Sequence, residues 1–255
     1  MDLIAVLSGF GVGAIVGMTG VGGGSLMTPL LLTVFKLNPA VAIGTDLWFA
    51  AITKTSGAVA HHRHGNVDYR IAGLLLAGSI PASLATIGLM HFTGITTGWA
   101  SALTFTLGIA LLLTAVTVAY RQAWHAVGLR LERWIPESRK PTLTVISGFI
   151  LGVLVSLSSI GAGAIGATLI LLIYPRLEAR RLVGTDIAHA VPLTLVAGIG
   201  HATLGHVDWT LLGALLVGSI PGIWVGAHLT RVMPERLVRG LLCVSLVTAG
   251  LKVIH

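Results

Sequence analysis

The chain has 255 residues, of which 55% are hydrophobic and only 10% are charged, against about 25% charged residues in an average soluble domain. A soluble monomer is therefore excluded, because a water-exposed surface of this size needs many more charged side chains. The net charge of +7 does not indicate nucleic-acid binding, since no basic stripe interleaved with aromatic residues lies on a polar segment.

Apolar segments follow one another along both halves of the chain and predict an all-α integral membrane protein. About 20 residues of helix cross a hydrocarbon core. The predicted segments cover residues 3–18, 25–35, 40–60, 71–90 and 99–120, and then 143–157, 164–174, 182–203, 210–229 and 237–254. The second segment of each half has only 11 residues, which predicts a half-length helix.

The two halves form an internal repeat. The motif Ser-Gly-Phe at Ser8 recurs at Ser147, and Gly-Thr-Asp at Gly44 recurs at Gly184. Residues 44–81 and 184–221 share 15 identities in 38 aligned positions, many of them glycine or polar, which shared hydrophobicity does not explain. Residues 1–120 and 142–255 are therefore interpreted as duplicated membrane repeats, joined by residues 121–141.

Basic residues set the predicted orientation. If residues 121–141 are cytoplasmic, alternating crossings place 13 of the 16 Lys and Arg residues inside, as the positive-inside rule expects. Each half then crosses an odd number of times, so the repeats are inverted, as in many secondary transporters. Within the connection, apolar side chains at helical spacing predict an amphipathic helix on the inner membrane face: Trp124, Val127, Leu131 and Trp134.

Glycine-rich breaks precede both half-length segments, at Gly20–Ser25 and Ser158–Gly163. A helix that begins at such a break points unpaired N–H groups into it and favours an anion there. Irregular backbone at membrane depth must be buried in protein or line a cavity. The predicted substrate-binding residues are Gly22, Gly23, Gly24, Ser25, Ser158, Ser159, Gly161 and Gly163. Close helix packing through small residues is the alternative interpretation.

Ionisable residues inside the apolar segments are the second set of candidates, because a charge at such depth is costly unless it is paired or hydrated. Lys54, which has Thr194 at its matching position, is predicted to hold an anionic substrate or to exchange a proton. Extension to the inner interface is its alternative. Asp46, Asp186 and His189 are predicted to carry or gate protons. Helix capping stays open for both aspartates, and a hydrogen-bonded core position for the histidine.

His61 and His201 occupy matching positions near the ends of the third segments, where a gating or proton-access role stands beside an interfacial one. The run that begins at His61 has no carboxylate or cysteine at ligand spacing, so no metal site is predicted. Asp68 and Asp208 open the following helices and are predicted N-caps. Because HExxH, Walker and GxSxG motifs do not occur, we expect neither enzymatic activity nor a cofactor.

Four duplicated motifs carry a resemblance to a known family. In the first half they are Gly20-Val-Gly-Gly-Gly-Ser-Leu-Met-Thr-Pro29, Gly-Thr-Asp at Gly44, Gly-Asn-Val-Asp at Gly65 and Gly-Ser-Ile-Pro at Gly78. Together they resemble the TauE/SafE family of membrane transporters over about Ser8 to Lys252. The resemblance implies export of sulfite, organosulfonates or related sulfur anions across the bacterial inner membrane, driven by the proton gradient. The second copy of the break departs from the family pattern, with Ala162 between two glycines.

Two other classes of function stay open at this point. The same glycine breaks and basic residue would also suit an anion channel. A membrane scaffold, or an enzyme subunit that acts on a lipid-soluble substrate, is the other alternative. Two helix N-termini and Lys54 all favour negative charge, so the residues by themselves favour an anion as the transported solute.

Overall fold

The structure is a computed structural model that describes residues 3–19, 24–94, 97–229 and 235–254. The described part is all-helical and contains no strand, which confirms the predicted class. Its helices are α1 Leu3–Thr19, α2 Gly24–Thr33, α3 Pro39–Arg63, α4 Tyr69–Thr93, α5 Thr97–Ala119, α6 Arg121–Leu131, α7 Lys140–Ser158, α8 Ala164–Ile173, α9 Ala179–Thr203, α10 Trp209–Leu229 and α11 Glu235–Ile254.

The length and apolar character of the helices define a multi-pass membrane protein. Within the described ranges, five helical segments are long and apolar enough to cross a membrane: Tyr69–Thr93, Trp99–Ala119, Glu137–Ser158, Ala179–Thr203 and Trp209–Gly226. Large apolar side chains also face outward, among them Phe105, Ile220, Trp224 and Val244, each at least 59% exposed. Such a surface is stable in lipid, where apolar side chains need no cover.

Glycines bring α1 and α10 into backbone contact. A Cβ atom at Gly9 would overlap the carbonyl oxygen of Leu215, and one at Gly13 would overlap the backbone of Ser219. Only residues without a side chain allow this approach, which maximises van der Waals packing between helices in lipid.

The pair α4 and α7 repeats this arrangement with the halves exchanged. Cβ atoms at Gly148 and Gly152 would overlap the backbones of Leu75 and Ser79. These four residues are the repeat counterparts of the four that join α1 to α10. Each half therefore packs its first helix against the fourth helix of the other half.

The duplicated Gly-Thr-Asp motifs also make exchanged contacts. The hydroxyl oxygen of Thr45 accepts a hydrogen bond from the backbone N–H of Asp208 at 3.0 Å, and that of Thr185 accepts one from Asp68 at 2.9 Å. At the centre α3 packs against α9, while α5 packs against α11. The halves therefore interlock and form one unit.

The break between α7 and α8 is a sharp change of backbone direction. Ser159, Gly161 and Gly163 have positive φ angles of 59°, 126° and 151°, values that glycine adopts without a side-chain clash. The hydroxyl of Ser158 donates to the carbonyl of Leu154 and accepts from the N–H of Ile160, which closes the end of α7. Like α2, α8 then has only 10 residues.

Helix α6 packs against the C-terminal end of α8. His125 contacts the carbonyl of Pro175 at 3.0 Å, and Arg176 pairs with Glu132 at 2.9 Å. Gly128 is buried against α8, and a Cβ atom at this position would come within 2.8 Å of the carbonyl oxygen of Leu171. The central connection is thus held against the second half.

Candidate functional site

Three buried charged residues meet at the centre of the molecule. Asp46 and Lys54 lie on α3, and Asp186 lies on α9, with exposures of 0%, 9% and 4%. Lys54 interacts electrostatically with both aspartates. The packing of α3 against α9 therefore brings together residues that are far apart in sequence.

Lys54 points into the break before α8. Its ammonium group donates a hydrogen bond to the carbonyl oxygen of Ala162, and no salt bridge joins it to a carboxylate of the described residues. The interpretation that Lys54 extends to the membrane interface is therefore wrong, because its nitrogen is held inside the protein.

Asp46 lies beside the same break. One carboxylate oxygen accepts a hydrogen bond from the Thr28 hydroxyl of α2, and the other is buried without a hydrogen-bond partner in the described part. The hydroxyl of Ser159 is also buried and lies close enough to this carboxylate to interact with it, but it makes no hydrogen bond of standard geometry in the described part. Asp46 does not cap a helix, because α3 begins seven residues earlier at Pro39.

Asp186 faces the first turn of α8. Its Oδ1 atom lies 2.3 Å from the position that a Cβ of Gly166 would occupy, and this oxygen has no hydrogen-bond partner among the described residues. The N-cap residue of α8 is Gly163, which has no side chain that could cap the helix. The carboxylate therefore lies beside the N-terminal turn of α8, where the helix dipole favours a negative charge. The capping interpretation is wrong here too, since α9 begins at Ala179.

The first glycine break is only partly covered by the structure. Gly22 and Gly23 lie outside the described residues. Gly24 and Ser25 open α2. In the second break, Ser158 is used to end α7, whereas Ser159, Gly161 and Gly163 border Lys54 and the two aspartates.

His189 lies one helical turn beyond Asp186 and is fully buried. Its Nε2 atom is 3.0 Å from the hydroxyl of Ser79 on α4, and its Nδ1 atom has no partner in the described part. An electrostatic interaction links it to Lys54. The position is a hydrogen-bonded core histidine at the edge of the charged cluster.

His201 and His61 are not equivalent, although their sequence positions match. His201 is fully buried; its Nε2 contacts the Ser156 carbonyl at 2.9 Å and its Nδ1 lies 3.4 Å from Nδ1 of His206. His61 is partly exposed, and its Nδ1 packs on Gly184 without a hydrogen-bond partner in the described residues. His201 is therefore enclosed by protein, whereas its counterpart His61 is not.

Several residues at the site escaped the sequence reasoning. Thr28, Ser79 and Gly166 contact Asp46, His189 and Asp186 respectively. The predicted caps were found, since Asp68 accepts from the N–H groups of Arg70 and Ile71, and Asp208 accepts from that of Leu211. The described part holds no cluster of three or more His, Cys, Asp or Glu side chains able to bind a metal ion.

A cluster of ionisable residues between the central helices of a multi-pass membrane protein is typical of membrane transporters, and the comparisons place the chain more narrowly. The chain belongs to the TauE/SafE sulfite exporter family, whose sequence model matches residues 5–253. It is 38% identical over 257 residues to the probable membrane transporter protein YjnA of Bacillus subtilis, covering 100% of both chains. It is 32% identical to YdhB of the same organism over 98% of each chain. No solved structure matches the chain.

Proposed function

We propose that the protein is a secondary transporter that exports sulfite or an organosulfonate across the bacterial inner membrane, coupled to protons. The family supports the class, and the relatives are named as probable membrane transporters. The observation that carries the choice of an anion is Lys54, a buried ammonium group aimed at the break before α8.

The proposed topology has inverted halves, with α6 on the cytoplasmic face. The exchanged packing of α1 with α10 and of α4 with α7 supports this, because it relates the halves by a two-fold operation. The distribution of Lys and Arg supports the direction. The breaks before α2 and α8 then lie near the midplane, where inverted-repeat transporters bind their substrates.

The proposed anion site lies between the two breaks. On the second-half side, the ammonium of Lys54, the buried hydroxyl of Ser159 and the backbone N–H groups around Gly161 and Gly163 would hold the oxygen atoms of the substrate. Three or more donors suit the oxygens of a sulfite or sulfonate group. On the first-half side, Gly22, Gly23, Gly24 and Ser25 are the proposed counterparts.

Charge balance supplies the proposed coupling. One ammonium group already faces the carboxylates of Asp46 and Asp186. A further negative charge in this buried space is unfavourable unless a carboxylate takes up a proton. We therefore assign proton binding to the two aspartates, with His189 as the neighbouring exchange group. His61 and His201 are proposed to gate the ends of α3 and α9.

The purified protein in proteoliposomes tests this proposal. We expect saturable sulfite flux, competition by small sulfonates, and a change of internal pH that accompanies sulfite movement. Flux that does not respond to an imposed pH gradient, at rates far above transporter turnover, would instead identify an anion channel. Absence of flux for every small sulfur anion tested would contradict the proposed function.

A further inference from the structure

Buried polar side chains extend from the central cluster toward one end of the molecule. We call this set the polar row; it consists of His189, Ser79, Ser83, Ser156, His201 and His206. The first five are fully buried at 0% exposure, whereas His206, in the loop between α9 and α10, is 8% exposed. The row thus runs from the charged cluster to a loop at the end of α9.

Hydrogen bonds connect most of the row. The Ser156 hydroxyl donates to the Ser83 hydroxyl at 2.7 Å, beside the contacts of His189 with Ser79 and of His201 with Ser156 and His206. Ser79 and Ser83 stand one turn apart on the same face of α4. Three steps of the row are not bonded in the structure: Ser79 to Ser83, Nε2 of His201 to the Ser156 hydroxyl, since that nitrogen contacts the Ser156 carbonyl instead, and Nδ1 of His189 to Asp186. Side-chain rotation or a water molecule has to bridge each of them.

The fold itself does not require these residues, as their repeat counterparts on α10, α1 and α3 show. The repeat counterparts of Ser156, Ser83 and His189 are Gly17, Ile223 and Phe49. They lie on α1, α10 and α3, and α1 and α10 pack through the same kind of glycine contacts. Ser79 is different, because its counterpart Ser219 is also a serine. The hydroxyl of Ser219 is buried with no hydrogen-bond partner among the described residues.

The interface of α4 with α7 and α9 therefore contains polar groups that cost desolvation and that the equivalent interface of α10 with α1 and α3 largely lacks. Moving a hydroxyl or an imidazole from water into the protein costs free energy that only hydrogen bonds offset, and an apolar side chain would avoid that cost. Hydrogen-bonded hydroxyls and imidazoles are the side chains that pass protons between a buried site and a surface. Lys54 faces His189 at the inner end, and His206 faces His201 at the outer end.

We propose that the polar row is the path by which the central carboxylates exchange protons with the membrane surface at the loop between α9 and α10. The inference rests on the proposed proton-coupled function. It adds Ser79, Ser83, Ser156 and His206 to the coupling machinery, and it gives the interface of α4 with α7 and α9 a task that the equivalent interface of α10 with α1 and α3 does not share.

The transfers balance at every group. His201 keeps its Nε2 proton in a hydrogen bond to the Ser156 carbonyl, which leaves its Nδ1 lone pair free to accept a proton from His206. The resulting imidazolium exchanges the Ser156 carbonyl for the Ser156 hydroxyl as its hydrogen-bond partner and releases its Nε2 proton to that hydroxyl. Each serine then accepts one proton on oxygen while it passes its own to the next group. His189 accepts at Nε2 and releases its Nδ1 proton to Asp186. The reverse sequence carries a proton outward.

Sulfite flux with proton movement, compared with sulfite–sulfite exchange at equal pH, separates this path from a structural role. Ser83→Ala and Ser156→Ala are expected to slow proton-coupled net flux on the order of 10²-fold. Exchange should continue, because no net proton transfer to the surface is needed. Ser219→Ala is the matched control at the Ser79 counterpart and should transport like the wild type, and Ser156→Thr should restore net flux.

Three outcomes would overturn the path. One is an equal loss of net flux and exchange in folded Ser83→Ala protein. Another is a loss in Ser219→Ala as large as that in Ser83→Ala. The third is wild-type sulfite flux without any proton movement, which removes the path but leaves the transporter class intact. A wild-type protein that moves no small sulfur anion contradicts the proposed function itself, and the path with it.

Discussion

Lys54 donates its ammonium hydrogen bond to the carbonyl oxygen of Ala162, and this contact joins the middle of α3 to the break before α8. The two residues are 108 positions apart and belong to different halves of the repeat. The bond places a positive charge where the backbone leaves helical geometry. It is therefore the contact on which the proposed anion site depends.

Removal of the Lys54 charge should weaken anion transport. We expect Lys54→Ala to reduce kcat/KM for sulfite by about 10- to 100-fold, the range of a lost hydrogen bond to a charged group. Proteoliposome flux measures this. Lys252→Ala, which removes an exposed lysine of α11, is the control and should have no effect. Unchanged flux in Lys54→Ala would remove this residue from the site.

Addition of a methyl group at Gly166 should displace the Asp186 carboxylate, because the new Cβ would overlap Oδ1. Misplacement of a reacting group by about 1 Å costs on the order of 10²-fold in rate, so Gly166→Ala should lose proton-coupled flux to that extent. Gly213→Ala on α10 has open space around its Cβ and is the control. If both variants transport equally, the position of Asp186 is not critical.

The glycine contacts between halves should dominate stability. Gly148→Ala would drive a Cβ into the carbonyl of Leu75, and Gly9→Ala would do the same at Leu215. We expect each to lower the free energy of unfolding by about 1–3 kcal/mol, as overpacking does. Gly73→Ala, where no atom lies within 4 Å, should be neutral or slightly stabilising. Thermal unfolding in detergent compares them; equal melting temperatures would refute the close packing.

Acid should destabilise the protein partly through His206. Burial lowers the pKa of His206 from its ordinary value of 6.5, so below that pH the unfolded chain binds a proton that the folded chain resists. Stability should therefore fall as pH drops below 6.5. His206→Asn, which introduces the residue found at the matching Asn66, should show a shallower fall than the wild type. Unfolding curves from pH 7 to 5 measure the difference, and identical slopes would contradict this role.

Much of the fold and part of the site could be predicted because both depend on local properties of the chain. Apolar runs predicted the positions of the ten long and half-length helices. Charges inside apolar runs singled out Asp46, Lys54 and Asp186, since such charges are rarely buried without a role. Polar residues directly before a helix, Asp68 and Asp208, were correctly interpreted as caps.

The capping interpretation of Asp46 failed for an identifiable reason. Helix α3 begins at Pro39, and the side chain of Asn38 accepts a hydrogen bond from the N–H of Ala40 at 2.9 Å. An Asn before a Pro is a strong signal for a helix start, and it was available in the sequence. Without it, the Gly-Thr-Asp motif was mistaken for a start, although its threonine caps a neighbouring segment of the other half.

The sequence by itself determined that the chain resides in lipid, that it is helical and duplicated, and which few charges lie at depth, because these follow from composition and periodicity. The tertiary structure decided which groups those charges meet: Ala162 for Lys54, Gly166 for Asp186 and Ser79 for His189. These contacts depend on how each helix is rotated against its neighbours. Glycines of one half fix that rotation by packing on the backbone of non-glycine residues in the other half, and no local pattern encodes which residues they meet.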